Sequence, residues 1–248
     1  MTFEPIGTLQ SDFKEKFGVP RQSGMIPEAR AVLKLRPDPA FVTALNHLED
    51  FSHVWLIFLF HRSASGRDQA WTPTIRPPRI GAPNRVGVFA SRSPHRPNPI
   101  GMSAVKLDRI DFQARGGIEI HLSGVDLLDG TPILDLKPYI PYADSIPDAN
   151  SGWAEGEIPK YSVQFSDEAL RTIEAHSPDQ RLMQLMIRTL EYDPRPTSQR
   201  EAMPISSPQS EGRQFRFRLA EFDVHWTIRN AGIYVERVLN QDSSTSKL

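Results

Sequence analysis

Up to about Tyr142 this chain is cut by Pro and Gly turns into runs that suit short strands, and that punctuation most limits its fold. Phe3 to Leu9, Ala29 to Leu35, Val54 to Phe60, Val86 to Phe89, Ala104 to Ile110 and Ile118 to Leu122 are rich in Val, Ile, Leu and Phe. Each is bounded by turn residues and is predicted as a strand. One helix is expected among them. Asp38 reads as its N-cap, Pro39 as its first residue, and Phe41, Val42, Leu45 and Leu48 share one face. Many short strands with almost no crossover helices predict a mainly antiparallel barrel or sandwich, not a doubly wound parallel sheet.

Composition shifts after Tyr142. The polar stretch Ser145 to Gly156 marks a boundary, which places an N-terminal domain at 1–145 and a small α+β domain at 157–240. Ser166 to His176 and Ser177 to Leu190 read as helices, the second opening on Ser177 with Gln180 three residues on, the spacing of a capping box. Tyr192 to Arg213 is a Pro/Ser-rich stretch too long for an ordinary connection. Phe215, Phe217 and Leu219 then alternate with polar residues, as do Phe222, Val224, Trp226 and Ile228, with Ala220-Glu221 as the turn of a hairpin. Gln241 to Leu248 reads as a disordered tail.

Several chemistries are excluded. Without Cys there is no disulfide, thiol nucleophile, iron–sulfur cluster or Cys-ligated zinc. The seven His form no tight ligand spacing, so no metal is expected. No G-x-G-x-x-G follows a strand, and neither a P-loop nor a G-x-S-x-G elbow occurs. The longest near-apolar run, Phe51 to Phe60, falls short of the roughly 20 residues a membrane span needs, and Met1 to Pro5 lacks a secretory start. A cytoplasmic protein with no membrane partner is expected.

The net charge of −1 conceals a regional split. From Gln69 to Leu107 there is no Asp or Glu, while Arg76, Arg79, Arg85, Arg92, Arg96 and Lys106 all lie there. Such a window is the expected footprint of a phosphate- or carboxylate-binding surface, although a Pro-rich surface loop could also lack acids by chance. Within it, Ala90 to Gly101 reads ASRSPHRPNPIG. Its prolines stiffen the backbone beneath Arg92, His95 and Arg96, which suits bidentate anion recognition. A second polar cluster runs from Val125 to Pro132, with Asp129-Gly130 as a turn signal. That turn is either a plain hairpin end or a place where carboxylates and free amides grip a ribose or an amine.

Together these clusters resemble the TsaA-like (YaeB/TrmO) family of tRNA methyltransferases. The resemblance rests on Pro5 to Gly7, Gly18-Val19-Pro20-Arg21-Gln22, Leu48 to His53, Gly87 through Gly101, Val125 through Tyr142, and Tyr192-Asp193-Pro194-Arg195-Pro196. It covers essentially the whole chain. It implies a β-barrel methyltransferase domain that binds S-adenosylmethionine without a Rossmann fold. It also implies methyl transfer to N6 of threonylcarbamoyladenosine at tRNA position 37, by a homodimer working on the anticodon loop. Carried over by motif, cofactor contacts fall on Pro20, Arg21, Gln22, His61, Arg62, Arg92, Met102, Leu128, Asp129, Gly130, Thr131 and Pro132.

The residue types suit that chemistry. Arg21 or Arg92 would pair with the donor's carboxylate, and Asp129 with the amides around Gly130 would take its ribose hydroxyls and adenine amine. The acceptor N6 is acylated and a poor nucleophile until its proton leaves, so a base is wanted. Asp126, Asp129, His61 and His95 are the candidates. Arg76, Arg79, Arg85, Arg96, Arg195, Arg213, Arg216 and Arg218 are candidate phosphate contacts. Trp71, Trp153 or Tyr192 could stack on an unpaired base, whereas Trp226 lies on an apolar strand face and reads as core. Two other classes fit the same residues: a methyltransferase acting on another substrate, and a non-catalytic RNA-binding module.

Overall fold

The computed structural model describes residues 2–62, 71–77 and 85–241. It forms two compact units that interleave along the chain, where composition predicts contiguous domains. The first comprises Met1–Gln10, Ala31–Ser123 and Gly130–Ile158, and the second Ser11–Arg30, Gly124–Asp129 and Pro159–Leu248. Of the expected tail, Gln241 to Leu248, Gln241 is described and its N–H donates to Glu221 O at 3.0 Å, whereas residues from 242 onward lie outside the described residues. No helix among the described residues is long and apolar enough to cross a membrane.

Among the described residues eight strands precede residue 140: β1 (Gly7–Ser11), β2 (Arg30–Leu35), β3 (His53–Leu59), β4 (Thr74–Ile75), β5 (Val86–Gly87), β6 (Ile100–Asp111), β7 (Glu119–Ser123) and β8 (Thr131–Pro138). Six of them close a barrel in the order β1-β2-β7-β6-β3-β8, and β4 pairs with β5 in a separate ribbon. The barrel is thereby chosen over the sandwich. Alternation explains the choice of inward residues. Val54, Leu56 and Phe58 of β3 are buried opposite Val105, Ser103 and Gly101 of β6. At Gly101 a Cβ would stand 2.4 Å from the Phe58 ring, so only glycine lets that ring lie over β6.

The structure departs from the expected elements at identifiable points. β1 begins at Gly7, leaving Phe3 exposed. The expected helix is short, α1 (Ala40–Ala44), although Asp38 does accept the Ala40 N–H at 3.0 Å. His47 takes a left-handed conformation, so the chain turns again through Leu48–Asp50 and Val42 is left exposed. β5 ends at Gly87 because Val88–Ala90 curls into a 3-10 turn. β8 was not anticipated, since Pro132 and Pro138 argue against a strand. They stand near its two ends, where a missing N–H costs the ladder least. A short helix, α2 (Pro141–Asp144), follows.

The second unit holds β9 (Val163–Phe165), α3 (Asp167–His176), α4 (Arg181–Glu191), α5 (Thr197–Ala202), β10 (Gln214–Leu219), β11 (Phe222–Arg229) and β12 (Gly232–Asn240). Its sheet runs β10-β11-β12-β9, and the β10–β11 hairpin has the expected register, with Leu219 opposite Phe222. β12 was not among the expected strands; its turn is Asn230-Ala231, both residues left-handed, with Gly232 opening the strand. Ser166 caps α3 through the Ala169 N–H. The capping box at Ser177 does not form. Asp179 takes the Ser177 hydroxyl and the Arg181 N–H, so Ser177 to Gln180 is a turn and α4 starts at Arg181.

The stretch from Tyr192 to Arg213 is more ordered than a loop. It contains α5, and an ion pair is buried at its root. Arg195 donates from Nε to Asp193 Oδ1 at 2.8 Å and from Nη2 to Oδ2 at 2.7 Å, with side chains only 2% and 4% exposed. Nη1 donates to the Met203 carbonyl at 2.9 Å, and the guanidinium lies over the Phe215 ring, itself stacked on buried Trp226. Arg195 is thus a core residue and is withdrawn from phosphate contact. Arg195→Ala would strand a buried carboxylate at a cost of about 3 kcal/mol, and lysine, which lacks the planar fork, would recover little of it. Urea unfolding of both variants checks this; a loss under 1 kcal/mol for Arg195→Ala would contradict the assignment.

Candidate functional site

In the first unit the segment from Val88 to Gly101 is held by its own polar groups. The Val88 carbonyl accepts from Ser91 N, Ser91 Oγ and Arg96 Nη1 at 3.2, 2.8 and 3.1 Å. Ser91 Oγ accepts the Ser93 N–H, and Ser93 Oγ accepts the His95 N–H, both at 3.3 Å. The outer ends are tied too: Val88 N donates to Pro73 O at 2.9 Å, Trp153 Nε1 donates to Ala90 O at 2.8 Å, and Phe60 N donates to Pro99 O at 2.8 Å. The rigidity expected from the prolines is therefore reinforced by side chains. Arg92 is exposed on this frame and His95 is half-buried in it.

Arg96 serves the frame itself. Its Nη1 also reaches Ser91 O at 2.7 Å, and its guanidinium lies 5.7 Å from the centre of the Phe89 ring. Elsewhere in this unit His61 and Arg62 are exposed just after β3, and Met102 points outward from β6. His61 Nε2 lies 3.7 Å from where a Cβ on Gly130 would stand, so these two motif positions do meet. Thr131 is buried and Pro132 half-buried at the start of β8.

In the second unit the Val125–Asp129 segment is clasped to Ser11–Phe13. Ser11 Oγ donates to Leu127 O at 2.7 Å, Ser11 N donates to Asp129 Oδ1 at 2.8 Å, and Asp129 N donates to Phe13 O at 2.8 Å. Lys14 Nζ lies 3.0 Å from the same Asp129 oxygen. In the first unit the Gly130 N–H donates to Leu9 O at 2.8 Å. The expectation that the amides around this turn are free for a ribose or an adenine is thus corrected for both residues: each is spent on β1 or its continuation. Asp126 and Leu128 are half-buried, while Val125 and Leu127 face the core.

Pro20, Arg21 and Gln22 are half-buried on the loop that begins at Gly18. Gly18 has φ +87°, and a Cβ there would crowd the Phe217 ring at 3.0 Å and Thr189 at 3.2 Å, so the motif's glycine is required twice over. The loop is anchored further by Arg218 N donating to Glu15 Oε1 at 2.8 Å and Ala220 N donating to Asp12 O. Asp12 accepts from Arg30 N at 2.8 Å and from Arg181 Nη1 at 2.9 Å, and Arg181 also reaches Glu28 O at 3.2 Å. Sequence reasoning missed Ser11, Lys14 and Arg181. Only the alternation around Leu9–Ser11 hinted at the first, and nothing local marked the others.

The remaining arginines divide. Arg213 and Arg216 are exposed without an ion-pair partner among the described residues, and Arg218 donates to Gln241 Oε1. Arg85 donates to Thr74 Oγ1 and O, bracing β4, and Arg76 is exposed. Arg79 lies outside the described residues. Of the three aromatic candidates, Trp153 is half-buried and tied through its indole N–H, and Tyr192 lies beneath Lys160. Trp71 stacks on Phe89, which the sequence had not singled out. Among the described residues no cluster of three His, Asp or Glu side chains stands where it could hold a metal.

A closed barrel with a braced, carboxylate-free loop and no Gly-rich nucleotide turn defines a class of barrel protein distinct from Rossmann enzymes. Residues 8–145 match the model of the tRNA-methyltransferase O N-terminal domain, and residues 158–241 match that of the TrmO C-terminal domain. The chain belongs to the tRNA-methyltransferase O family. It is 40% identical over 238 residues to the tRNA (adenine(37)-N6)-methyltransferase of Escherichia coli, covering 94% of this chain and 95% of that protein. It is 45% identical over 226 residues, 90% of each, to a Pseudomonas aeruginosa protein whose name marks it as a candidate S-adenosylmethionine-dependent methyltransferase. A crystal structure of TrmO from Pseudomonas aeruginosa superposes with a TM-score of 0.76 at 38% identity, over 97% of this chain and 98% of that one.

Burial pushes the Asp12 carboxyl above its ordinary range, against the opposing pull of Arg181. A raised folded-state value means the fold prefers the protonated acid, so this contribution is full at low pH and is lost as pH rises through that value. Arg181→Ala removes the opposing pull. It is expected to cost about 2 kcal/mol at pH 8, allowing for partial exposure of the pair, and visibly less at pH 4. Urea midpoints of variant and parent at the two pH values check this; an equal loss at both would contradict it.

Proposed function

We propose that the protein transfers a methyl group from S-adenosylmethionine to N6 of adenosine 37 in tRNA, with threonylcarbamoyladenosine as the acceptor. The observation that supports this reading above others is the match along both parts of the chain to proteins named for methylation of that base. The residues present suit the donor: guanidinium groups at Arg21 and Arg92 for its carboxylate, and no metal requirement in the transfer. The donor supplies an activated methyl group on a sulfonium, which needs in-line placement against the nucleophile.

In the first unit His61, Arg62, Arg92, Met102, Gly130, Thr131 and Pro132 are the proposed donor contacts. In the second, Pro20, Arg21, Gln22, Leu128 and Asp129 are. For Asp129 the contact is with its side chain, since its amide is committed. The chain's own chemical task is to accept the proton from N6. At Asp129, Oδ1 accepts from Ser11 N and faces Lys14. Asp126 and His95, half-buried, and His61, exposed beside Gly130, are the other candidates. Exposed Arg76, Arg213, Arg216 and Arg218 are proposed phosphate contacts, so tRNA binding weakens steeply with salt. A homodimer belongs to the same proposal.

Incubation with labelled S-adenosylmethionine and unfractionated tRNA is expected to place label in N6-methylated threonylcarbamoyladenosine. Label in another nucleoside would contradict the acceptor assignment, and tRNA binding without label would reduce the protein to an RNA-binding module. Among Ala variants of Asp126, His61 and His95, one is expected to lose kcat at saturating tRNA by about a hundred-fold or more with little change in KM. Wild-type kcat in all three would exclude a side-chain base from this set.

A further inference from the structure

Phe89 is 72% exposed, an unusual position for a phenylalanine on so rigid a backbone. It sits in the 3-10 turn Val88–Ala90, pinned before it by Val88 N on Pro73 O and after it by Trp153 on Ala90 O. Its ring stacks on Trp71, itself 42% exposed, with centroids 6.1 Å apart and planes 30° from parallel. The Arg96 guanidinium lies 5.7 Å from the Phe89 centroid and is fixed by the Val88 and Ser91 carbonyls.

Mutual cover does not explain this pair, because stacking on Trp71 leaves most of Phe89 in water. An exposed aromatic held flat beside an immobilised guanidinium is what base stacking requires. The surroundings favour a polyanion: Arg76, Arg85 and Arg92 share the Gln69–Leu107 window, in which there is no carboxylate. An acidic peptide would answer the charge but would offer no planar face to the rings. We propose that Trp71, Phe89 and Arg96 form a stacking platform for an unpaired base of the RNA substrate, with Phe89 as its principal contact. Through that substrate the inference rests on the function proposed above, yet it concerns RNA binding and not methyl transfer.

The test uses the full chain in two assays. The first measures the KM for unfractionated tRNA, kcat, and the equilibrium affinity for S-adenosylmethionine in the variants Phe89→Ala and Phe89→Trp. Phe112→Ala serves as control, an exposed phenylalanine of the same unit outside the platform. Phe89→Ala is expected to raise the tRNA KM about ten-fold while donor affinity stays within about two-fold; tryptophan restores the parent value and Phe112→Ala changes nothing. A tRNA KM within two-fold of the parent, or a parallel loss of donor affinity, overturns the platform.

The second assay follows quenching of tryptophan fluorescence by a single-stranded oligoribonucleotide, without donor. Binding that depends on Phe89 supports the platform even if no methylated tRNA is made, in which case only the proposed reaction falls. Binding indifferent to Phe89, or no binding by the parent protein, overturns the platform whatever the reaction.

Discussion

The barrel closes where β8 pairs back to β1, with Leu9 opposite Thr131 and Gly7 opposite Ile133, so that β1 ends where β8 begins. There the chain spends its polar groups on itself. Ser11 bonds Leu127 and Asp129, the Asp129 amide bonds Phe13, and the Gly130 amide bonds Leu9. All four of these bonds join buried or half-buried residues, where an unmade partner would cost about 1–3 kcal/mol. Within the first unit the Gly130 amide thereby fixes the start of β8 against β1, and within the second the bonds to Ser11 and Phe13 fix the course of Val125–Asp129. A turn that resembles a ligand-binding loop in sequence spends these amides on the chain itself.

The second device is the loop from Val88 to Gly101. Prolines remove backbone freedom, and Ser91, Ser93 and Arg96 satisfy the carbonyls and amides that prolines cannot. The result is a stiff surface that presents Arg92, His95 and Phe89 in one fixed arrangement. Preorganised groups lose little entropy on meeting a ligand, which is the physical reason for concentrating proline in a binding loop. Arg96 shows how charge and structure divide. It contributes to the positive window, but its hydrogen bonds are inward and its role is to hold its neighbours.

Much of the fold was legible, because strand periodicity and turn residues are local signals. β2, β3 and β7 follow from apolar runs bounded by turn residues, and β10 and β11 from alternation. β8 did not, since strand-end prolines carry the opposite local signature, and β12 was passed over although Asn230 and Gly232 flank its turn. The motifs could be picked out in the sequence, but not how their residues pack. Nothing in Tyr192–Pro196 reveals that Arg195 is buried against Asp193 and Phe215, because burial is decided by residues far along the chain. The same holds for Arg181, 169 positions from its partner Asp12. Phe89 was hidden for another reason: it read as the last residue of a strand that in fact ends two residues earlier.

The central claim is that the amides of Asp129 and Gly130 are committed to backbone carbonyls of the chain itself, those of Phe13 and Leu9, and not to a ligand. Amide hydrogen exchange of the free protein, read residue by residue with NMR, tests this most directly. Both amides are predicted to exchange slowly without S-adenosylmethionine and to gain little protection when it is added. Rapid exchange at these two positions in the free protein, with protection appearing only on addition of the donor, would contradict the account.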